Sequence, residues 1–161
     1  DAAIVDGLVE SYKGHYRASL AHQSNREPLF PGAREALDRL LPAPETLLGI
    51  ATGKGLSGVH RILALHGLDR HFATLQTPDH NPSKPHPGMV LRAMAETGAA
   101  PQEVVMVGDT VFDIELAKAA GVMSIGVGWG YHDWRDLRLA GASILIESFD
   151  ELDAAITALL E

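Results

Sequence analysis

The chain contains no cysteine, no long apolar run and no amino-terminal targeting pattern. Without cysteine it can form neither disulfide bonds nor metal sites built on thiolates, and this composition suits a cytoplasmic protein. No apolar run approaches the length of a membrane span. The start, DAAIVDGLVE, has no basic region before an apolar core, so it is not typical of a signal peptide. We therefore expect a cytoplasmic protein with no membrane partner.

Basic residues are also scarce. The chain has 13 Lys and Arg against 21 Asp and Glu, and its formal net charge is −8. Nonspecific binding to nucleic acid needs a basic face, so we expect no nucleic-acid partner. The eight histidines show no HExxH spacing, and no GxxxxGK[ST] phosphate loop is present. The glycines of Gly126-Val127-Gly128-Trp129-Gly130 look like a dinucleotide fingerprint but lack the GxGxxG spacing. What remains is 161 residues, 46% of them hydrophobic, which is enough for one domain with a real core.

The most informative stretch is VVMVGDTVFDIELAKAAG, at residues 104–121. Four apolar residues predict a buried strand, and a helix follows that Gly121 would end. Asp109 falls at the carboxyl end of the strand, and Asp113 lies about one helical turn further on. Two acids that converge there suit Mg²⁺ with waters and a phosphate. Alternatively, Asp109 is a helix N-cap and Asp113 is a first-turn acid favoured by the helix dipole.

Short apolar runs alternate with helical patterns along the whole chain. A stripe of apolar residues predicts an amphipathic helix over 4–20, and a polar connector with prolines follows at 22–31. The predicted strands are 47–51, 72–76, 104–107, 124–127 and 144–146, and the later predicted helices are 31–41, 56–66, 87–97, 111–120, 132–140 and 149–160. This alternation predicts an α/β fold with a parallel sheet, helices on both faces and right-handed crossovers.

Two more polar features follow predicted strands. Thr52-Gly53-Lys54-Gly55 comes after the strand at 47–51, and its backbone N–H groups can bind an anion or simply form a turn. Lys84 lies in the proline-rich segment 77–87, although a loop lysine is more often just solvated. Because both features and Asp109 fall near strand carboxyl ends, the sheet brings together a hydroxyl, a cation and two acids. This combination suits phosphoryl transfer.

With these residues the sequence resembles the haloacid dehalogenase-like phosphatases over about residues 28–161. The segments similar to that family's motifs II, III and IV are Ala51-Thr52-Gly53-Lys54, Ser83-Lys84-Pro85-His86-Pro87 and Gly108-Asp109-Thr110-Val111-Phe112-Asp113. Phe30-Pro31-Gly32 and Gly128-Trp129-Gly130-Tyr131 are similar to the phosphoglycolate phosphatase branch. A receiver domain also combines aspartates, Thr or Ser and Lys-Pro, but there Lys-Pro follows the phosphorylated Asp, whereas here Lys84-Pro85 precedes Asp109.

The resemblance implies a Mg²⁺-dependent hydrolase of small phosphate monoesters that works through an aspartyl-phosphate. Asp109 would bind Mg²⁺ directly, and Asp113 would act through water or as a partner of a ligand. Thr52 and the backbone of Gly53 would bind the phosphoryl oxygens, and Lys84 would neutralise charge at the phosphate. Thr52, Lys84 and Asp109 are therefore the candidate catalytic residues, and the expected partner is a small phosphorylated metabolite.

The family's motif I, which supplies the nucleophilic aspartate, is not found. Its nearest candidate is Ile4-Val5-Asp6-Gly7, but this would place Ile4 at the nucleophile position and Asp6 within a helical stripe. We therefore interpret residues 1–27 as the remnant of a helical cap and residues 28–161 as a Rossmann-like phosphatase core. The motif I strand would be the central strand, so its absence predicts a gap between the strands that end at Ala51 and Val107.

A sheet with such a gap leaves backbone groups unpaired at a cost in free energy. We therefore expect an incomplete chain that lacks the nucleophile and has little or no phosphatase activity alone, unless another segment or chain fills the gap. A non-catalytic phosphatase-like module that binds phosphate or metal is the alternative. The substrate is not fixed by the sequence, and phosphosugar phosphatase, pyrophosphatase and phosphosugar mutase activities stay open beside phosphoglycolate phosphatase.

Overall fold

The computed structural model describes residues 27–161, together with residues 4–5, 7–8, 10–11 and 14, which are helical and exposed. The predicted helix over 4–20 agrees with these early positions. Its other residues lie outside the described part of the chain. The division into a cap remnant over 1–27 and a core over 28–161 therefore stays a prediction.

Short strands and helices alternate through the described chain, as the sequence predicts. The strands are β1 (Gly49–Ala51), β2 (Thr74–Gln76), β3 (Val105–Gly108), β4 (Met123–Val127) and β5 (Ile144–Ile146). The helices are α1 (Ala33–Leu40), α2 (Leu56–His66), α3 (Gly88–Thr97), α4 (Val111–Ala120), α5 (Trp134–Ala140) and α6 (Leu152–Leu160). Single 3₁₀ turns, Pro101–Glu103 and Phe149–Glu151, precede β3 and α6. Among the described helices, none has the length and apolar character that crossing a membrane requires.

Gly121 ends α4, as predicted. Its φ of 74° lies in the left-handed region, which a glycine enters without the steric cost that a Cβ brings. There its N–H donates to the Lys118 carbonyl oxygen at 3.2 Å, and the N–H of Val122 donates to the Ala117 carbonyl oxygen at 3.0 Å. The chain thereby reverses directly from α4 into β4.

The described strands form two separate parallel sheets. β1 pairs with β2, with Ile50 opposite Leu75. β4 lies between β3 and β5, with Val107 opposite Ile125. All pairings are parallel, so the carboxyl ends of the strands in each sheet lie on the same side, as the predicted α/β fold requires.

Helices cover both faces of the larger sheet. Ile125 of β4 is fully buried, and it belongs to a cluster that includes Ala36 of α1 and Leu152 of α6. Its neighbour Gly126 faces the other way: a Cβ added there would lie 3.3 Å from Leu137 Cδ1 of α5. Because side chains alternate along a strand, one face of β4 packs on α1 and α6 and the other on α5.

A cleft separates β1 from β3, where the sequence predicts a missing central strand. In the described part of the chain, no strand pairs with the free edges of β1 and β3. A cavity of about 590 Å³ lies there, and apolar side chains from β1, α3 and β3 line it, among them Ile50, Val90, Met94 and Met106. The predicted gap is therefore present in the structure.

Candidate functional site

The candidate site lies where β1, β2 and β3 end. Thr52 directly follows β1, the Lys84 loop follows β2, and Asp109 directly follows β3. The Lys84 ammonium donates to the Ala51 carbonyl oxygen at 2.7 Å and lies 2.5 Å from Asp113 Oδ1. The structure thus brings the Lys84 loop against the end of β1 and the start of α4, as the sequence analysis expects.

Asp113 is held from both sides. The residue is 4% exposed, and its Oδ1 pairs with Lys84. Its Oδ2 accepts the Thr110 backbone N–H at 3.0 Å and the Thr110 hydroxyl at 2.8 Å. With both oxygens engaged, Asp113 is arranged to fix Lys84 and the first turn of α4.

The alternative interpretation of the acidic pair is wrong for one residue and right for the other. Thr110, not Asp109, is the N-cap of α4. Asp113 lies in the first helical turn, where its carboxylate accepts the N-cap N–H. Since Asp109 lies one residue before the N-cap, its carboxylate is not needed to start the helix.

The loop after β4 packs against Asp109. Asp109 Oδ2 accepts the Tyr131 backbone N–H at 3.0 Å, and the Asp109 carbonyl oxygen accepts the His132 N–H at 3.2 Å. Gly130 lies so close that an added Cβ would be 2.0 Å from the Asp109 Cβ. Oδ1 of Asp109 has no hydrogen-bond partner within the described residues, and one oxygen therefore stays available for a ligand.

The sequence does not predict these contacts around Asp109. In the sequence, Gly130 belongs to a glycine run that lacks the dinucleotide spacing and to the segment similar to the phosphoglycolate phosphatase branch. His132 is expected from the sequence only as the first residue of the predicted helix 132–140, whereas in the structure its Nδ1 accepts the Val111 N–H of α4 at 3.2 Å. The available signal was a glycine pair directly after a strand, at the sheet edge where the two acids were already placed.

Thr52 and Gly53 form an open turn after β1. The Thr52 hydroxyl oxygen accepts the Lys54 N–H at 3.1 Å, and the Thr52 N–H donates to the Gln76 carbonyl oxygen at 3.0 Å. A Cβ added to Gly53 would meet nothing within 4 Å. The turn is thus fixed on the β2 side, with free space beside Gly53.

The acids near the strand ends suit a hard cation. In the described part of the chain no group of three or more metal-binding side chains is found. Mg²⁺ commonly takes only one or two carboxylates and completes its shell with waters and phosphate oxygens. Asp109, with its free oxygen, fits that requirement better than Asp113, whose two oxygens are occupied.

The chain belongs to the haloacid dehalogenase-like hydrolases, because the sequence profile of that family matches residues 3–127, well over half of the chain. The arrangement of strands and helices is similar to that of a solved structure described as a predicted phosphoglycolate phosphatase from Haemophilus somnus. That structure has a TM-score of 0.81 at 24% identity, and the match covers 91% of this chain and 65% of the other. A haloacid dehalogenase-like protein of unknown function from Agrobacterium tumefaciens has a TM-score of 0.72 at 30% identity, with 81% and 61% coverage.

Curated relatives carry the names of phosphatases. A protein of Dickeya dadantii named "Probable phosphatase IndB" is 35% identical over 159 residues, which is 98% of this chain and 68% of that protein. The phosphoglycolate phosphatase of Agrobacterium fabrum is 34% identical over 155 residues, which is 96% of this chain and 64% of that protein. For the phosphoglycolate phosphatase of Escherichia coli K12, the match spans 51% of the relative. The chain therefore spans about half to two thirds of the length of these relatives.

Proposed function

We propose that this chain forms most of the core of a Mg²⁺-dependent phosphatase that hydrolyses small phosphate monoesters through an aspartyl-phosphate. One observation carries the proposal: the Lys84 ammonium lies 2.7 Å from the Ala51 carbonyl oxygen and 2.5 Å from Asp113 Oδ1. This contact joins the loop after β2 to the end of β1 and to the first turn of α4, which supports a shared site for the Lys84 cation, the Thr52 hydroxyl and the two acids. Phosphoryl transfer depends on such positioning and charge stabilisation more than on any other protein contribution.

Each residue has a distinct proposed role. Asp109 holds Mg²⁺ directly, and Asp113 acts through water and by fixing Lys84. Thr52 and the Gly53 backbone bind phosphoryl oxygens, and Lys84 neutralises charge at the phosphate. Mg²⁺, when bound, supplies charge stabilisation to the phosphoryl oxygens.

The nucleophile is proposed to arrive on a strand that fills the cleft between β1 and β3. Such a strand would end beside Thr52 and Asp109, at the shared carboxyl edge. Its aspartate would attack phosphorus while the bond to the ester oxygen breaks, and the leaving oxygen would take a proton from a general acid. Water would then hydrolyse the acyl phosphate and restore the carboxylate. The free edges of β1 and β3 and the 590 Å³ cavity support this placement.

The proposed substrate is phosphoglycolate or a similarly small phosphorylated metabolite. The names of the relatives support the class, and a relative from Oceanobacillus iheyensis named as the pyrophosphatase PpaX (29% identical over 153 residues) keeps pyrophosphate as a candidate. We place the protein in the cytoplasm without a nucleic-acid or membrane partner. The net charge of −8 and the lack of cysteine support this.

A non-catalytic module that binds phosphate or metal is the second candidate, because no described residue at the strand ends takes the nucleophile's place. Phosphate release from phosphoglycolate and from pyrophosphate separates the two. The assay compares the 161-residue chain with a chain that also carries the proposed strand, called the longer protein below. We expect turnover by the longer protein that EDTA abolishes, and none by the 161-residue chain. A longer protein without turnover, or robust Mg²⁺-dependent turnover by the verified 161-residue chain, would contradict the proposal.

A further inference from the structure

A single carboxylate links the two loops that carry Thr52 and Lys84. Asp79 belongs to the loop after β2, and its Oδ2 accepts the backbone N–H of Leu56, the first residue of α2, at 2.7 Å. The same oxygen accepts the Thr77 hydroxyl at 2.9 Å. Because Thr77 is fully buried, Asp79 is anchored to the interior on its own side and reaches across to α2 on the other.

The contact replaces a cap that α2 lacks. Its N-cap residue is Gly55, which has no side chain to accept an N–H of the first turn. A Cβ at Gly55 would lie 3.5 Å from Asp79 Oδ2, which shows how near the carboxylate comes to the turn. The amino end of α2 is therefore held from the neighbouring loop and not from its own.

The Asp79 loop is fixed independently of α2. The Asn81 amide donates to Gln76 Oε1 at 3.0 Å and to the Thr77 carbonyl oxygen at 3.1 Å. Gln76 is only 2% exposed, and its own amide donates to Thr74 and Glu96. This loop is therefore the stationary partner, and the turn at residues 52–55 is the part that the Asp79 contact holds in place.

The Leu56 N–H and the Thr77 hydroxyl hold the pKa of the Asp79 carboxyl below its usual range. Near neutral pH the carboxylate thus stays ionised, and as an ion it is a strong acceptor for both donors.

We propose that Asp79 is a positioning residue that sets the distance between the Thr52 turn and Lys84, so that both address the same phosphoryl group. The inference rests on the phosphate role proposed for Thr52 and Lys84. A merely structural role would stabilise α2 and leave the Thr52 turn and its phosphate affinity unchanged.

Two substitutions and a matched control separate these roles in the 161-residue chain. Asp79→Ala removes the bond to Leu56, whereas Asp79→Asn keeps an oxygen that can accept it. Glu103→Ala is the control, because it also removes a carboxylate that accepts a backbone N–H, that of Ala100 at 2.8 Å. Glu103 precedes β3 and so lies at the amino end of the strand, away from the candidate site. The probe is inorganic phosphate, titrated while backbone amide signals are followed by NMR.

We expect Asp79→Ala to weaken phosphate binding by about tenfold or more, because a small displacement of a binding group is costly. It should also shift the amide signals of Thr52 and Gly53 before any phosphate is added. Asp79→Asn should restore most of the affinity, and Glu103→Ala should leave the affinity unchanged whatever it does to the melting temperature.

The phosphate-free amide signals decide the inference even if the wild-type chain binds no phosphate, an outcome that would count against the proposed function instead. Changes confined to Leu56 and the first turn of α2, with Thr52 and Gly53 unmoved, would overturn the positioning role. Wild-type phosphate affinity in Asp79→Ala would overturn it too.

Discussion

Gly130 lies so close to Asp109 that any side chain at position 130 would displace the Asp109 side chain. Asp109 also receives the Tyr131 N–H, so the loop after β4 orients the carboxylate proposed to bind Mg²⁺. Partners that orient metal ligands commonly affect metal affinity strongly. The glycine at 130 is thus a requirement of the site and not of the backbone, since Gly130 does not have a positive φ.

Gly130→Ala is expected to weaken Mg²⁺ binding by about 10–100-fold, because Asp109 must move away from the new Cβ. Isothermal titration of the 161-residue chain with Mg²⁺ measures this. Gly128→Ala is the matched control in the same loop, since a Cβ there would make an ordinary 3.5 Å contact with the Ile146 carbonyl oxygen. Equal Mg²⁺ affinity in the two variants would show that Gly130 does not position a metal ligand.

At the scale of single residues, the sequence predicts which residues lie near the strand ends but not the hydrogen bonds that hold the loops around them. Thr52, Lys84 and Asp109 could be placed because each follows a strand of the predicted parallel sheet. The bonds from Asp79 to Leu56 and from His132 to Val111 join residues 23 and 21 positions apart. They depend on loop conformations that no periodicity encodes. The roles of the site residues in binding and catalysis stay predictions.

The segment before α1 is tied to α2 through Glu27. Its carboxylate lies 2.6 Å from the Arg61 guanidinium and 3.7 Å from the Lys54 ammonium, and its carbonyl oxygen lies 2.7 Å from His66 Nε2. The hydrogen bond from Arg61, supported by the charges of Arg61 and Lys54, holds the pKa of the Glu27 carboxyl below its ordinary value of 4.5. The ion pair between Glu27 and Arg61 thereby joins the segment before α1 to α2.

This pairing predicts a pH dependence of stability. A carboxyl whose pKa is lowered by folding contributes stability above its unfolded pKa, and that contribution is lost as the pH falls through the folded pKa. Glu27→Gln should therefore reduce stability at pH 7 and weaken the loss of stability between about pH 5 and pH 3. Urea unfolding across this range measures the effect.

Glu115→Gln, at an exposed position on α4, is the control and should keep the wild-type pH profile. If Glu27→Gln and the wild type lost the same free energy of unfolding as the pH is lowered, the ion pair of Glu27 would not contribute to stability.

Elements were the part of the fold most predictable from sequence. Each strand and helix over 27–161 was found, because apolar runs and helical stripes are local patterns. Two strands were shorter than predicted, since residues 47–48 and 72–73 precede β1 and β2 instead of belonging to them, whereas β4 begins one residue earlier than predicted. Hydropathy marks which residues are buried and not which backbone groups pair, so it does not fix the residue at which a strand begins.

The cleft between β1 and β3 is the main feature of the whole molecule. The Ala73 N–H donates to the Leu48 carbonyl oxygen and the Thr52 N–H donates to the Gln76 carbonyl oxygen, so the backbone groups at even-numbered positions in and next to β1 face β2. By alternation, the backbone groups of Gly49 and Ala51 face the cleft. Lys84 already binds the Ala51 carbonyl oxygen, at the end of the cleft where the nucleophile is proposed to arrive.

Hydrogen exchange should report this open edge. In the 161-residue chain the Ala51 amide is expected to exchange much faster than the Thr52 amide, because only Thr52 donates to β2. In the longer protein both should be protected, since the added strand would pair with β1. Exchange followed by NMR distinguishes the two amides. Strong protection of Ala51 in the 161-residue chain would mean that the cleft is already covered.

The rate of phosphate release from phosphoglycolate by the longer protein, with and without Asp109→Ala, tests the proposed phosphatase site most directly. Asp109→Ala is preferred to Lys84→Ala because Lys84 also pairs with the buried Asp113, so its loss would destabilise the fold. Asp133→Ala, which removes the N-cap of α5, is the matched control. We predict a rate reduced by about 10²–10³ in Asp109→Ala, with an unchanged melting temperature, and near-normal turnover in Asp133→Ala. Near-normal turnover in Asp109→Ala would contradict the assignment of Asp109, and with it the proposed metal site.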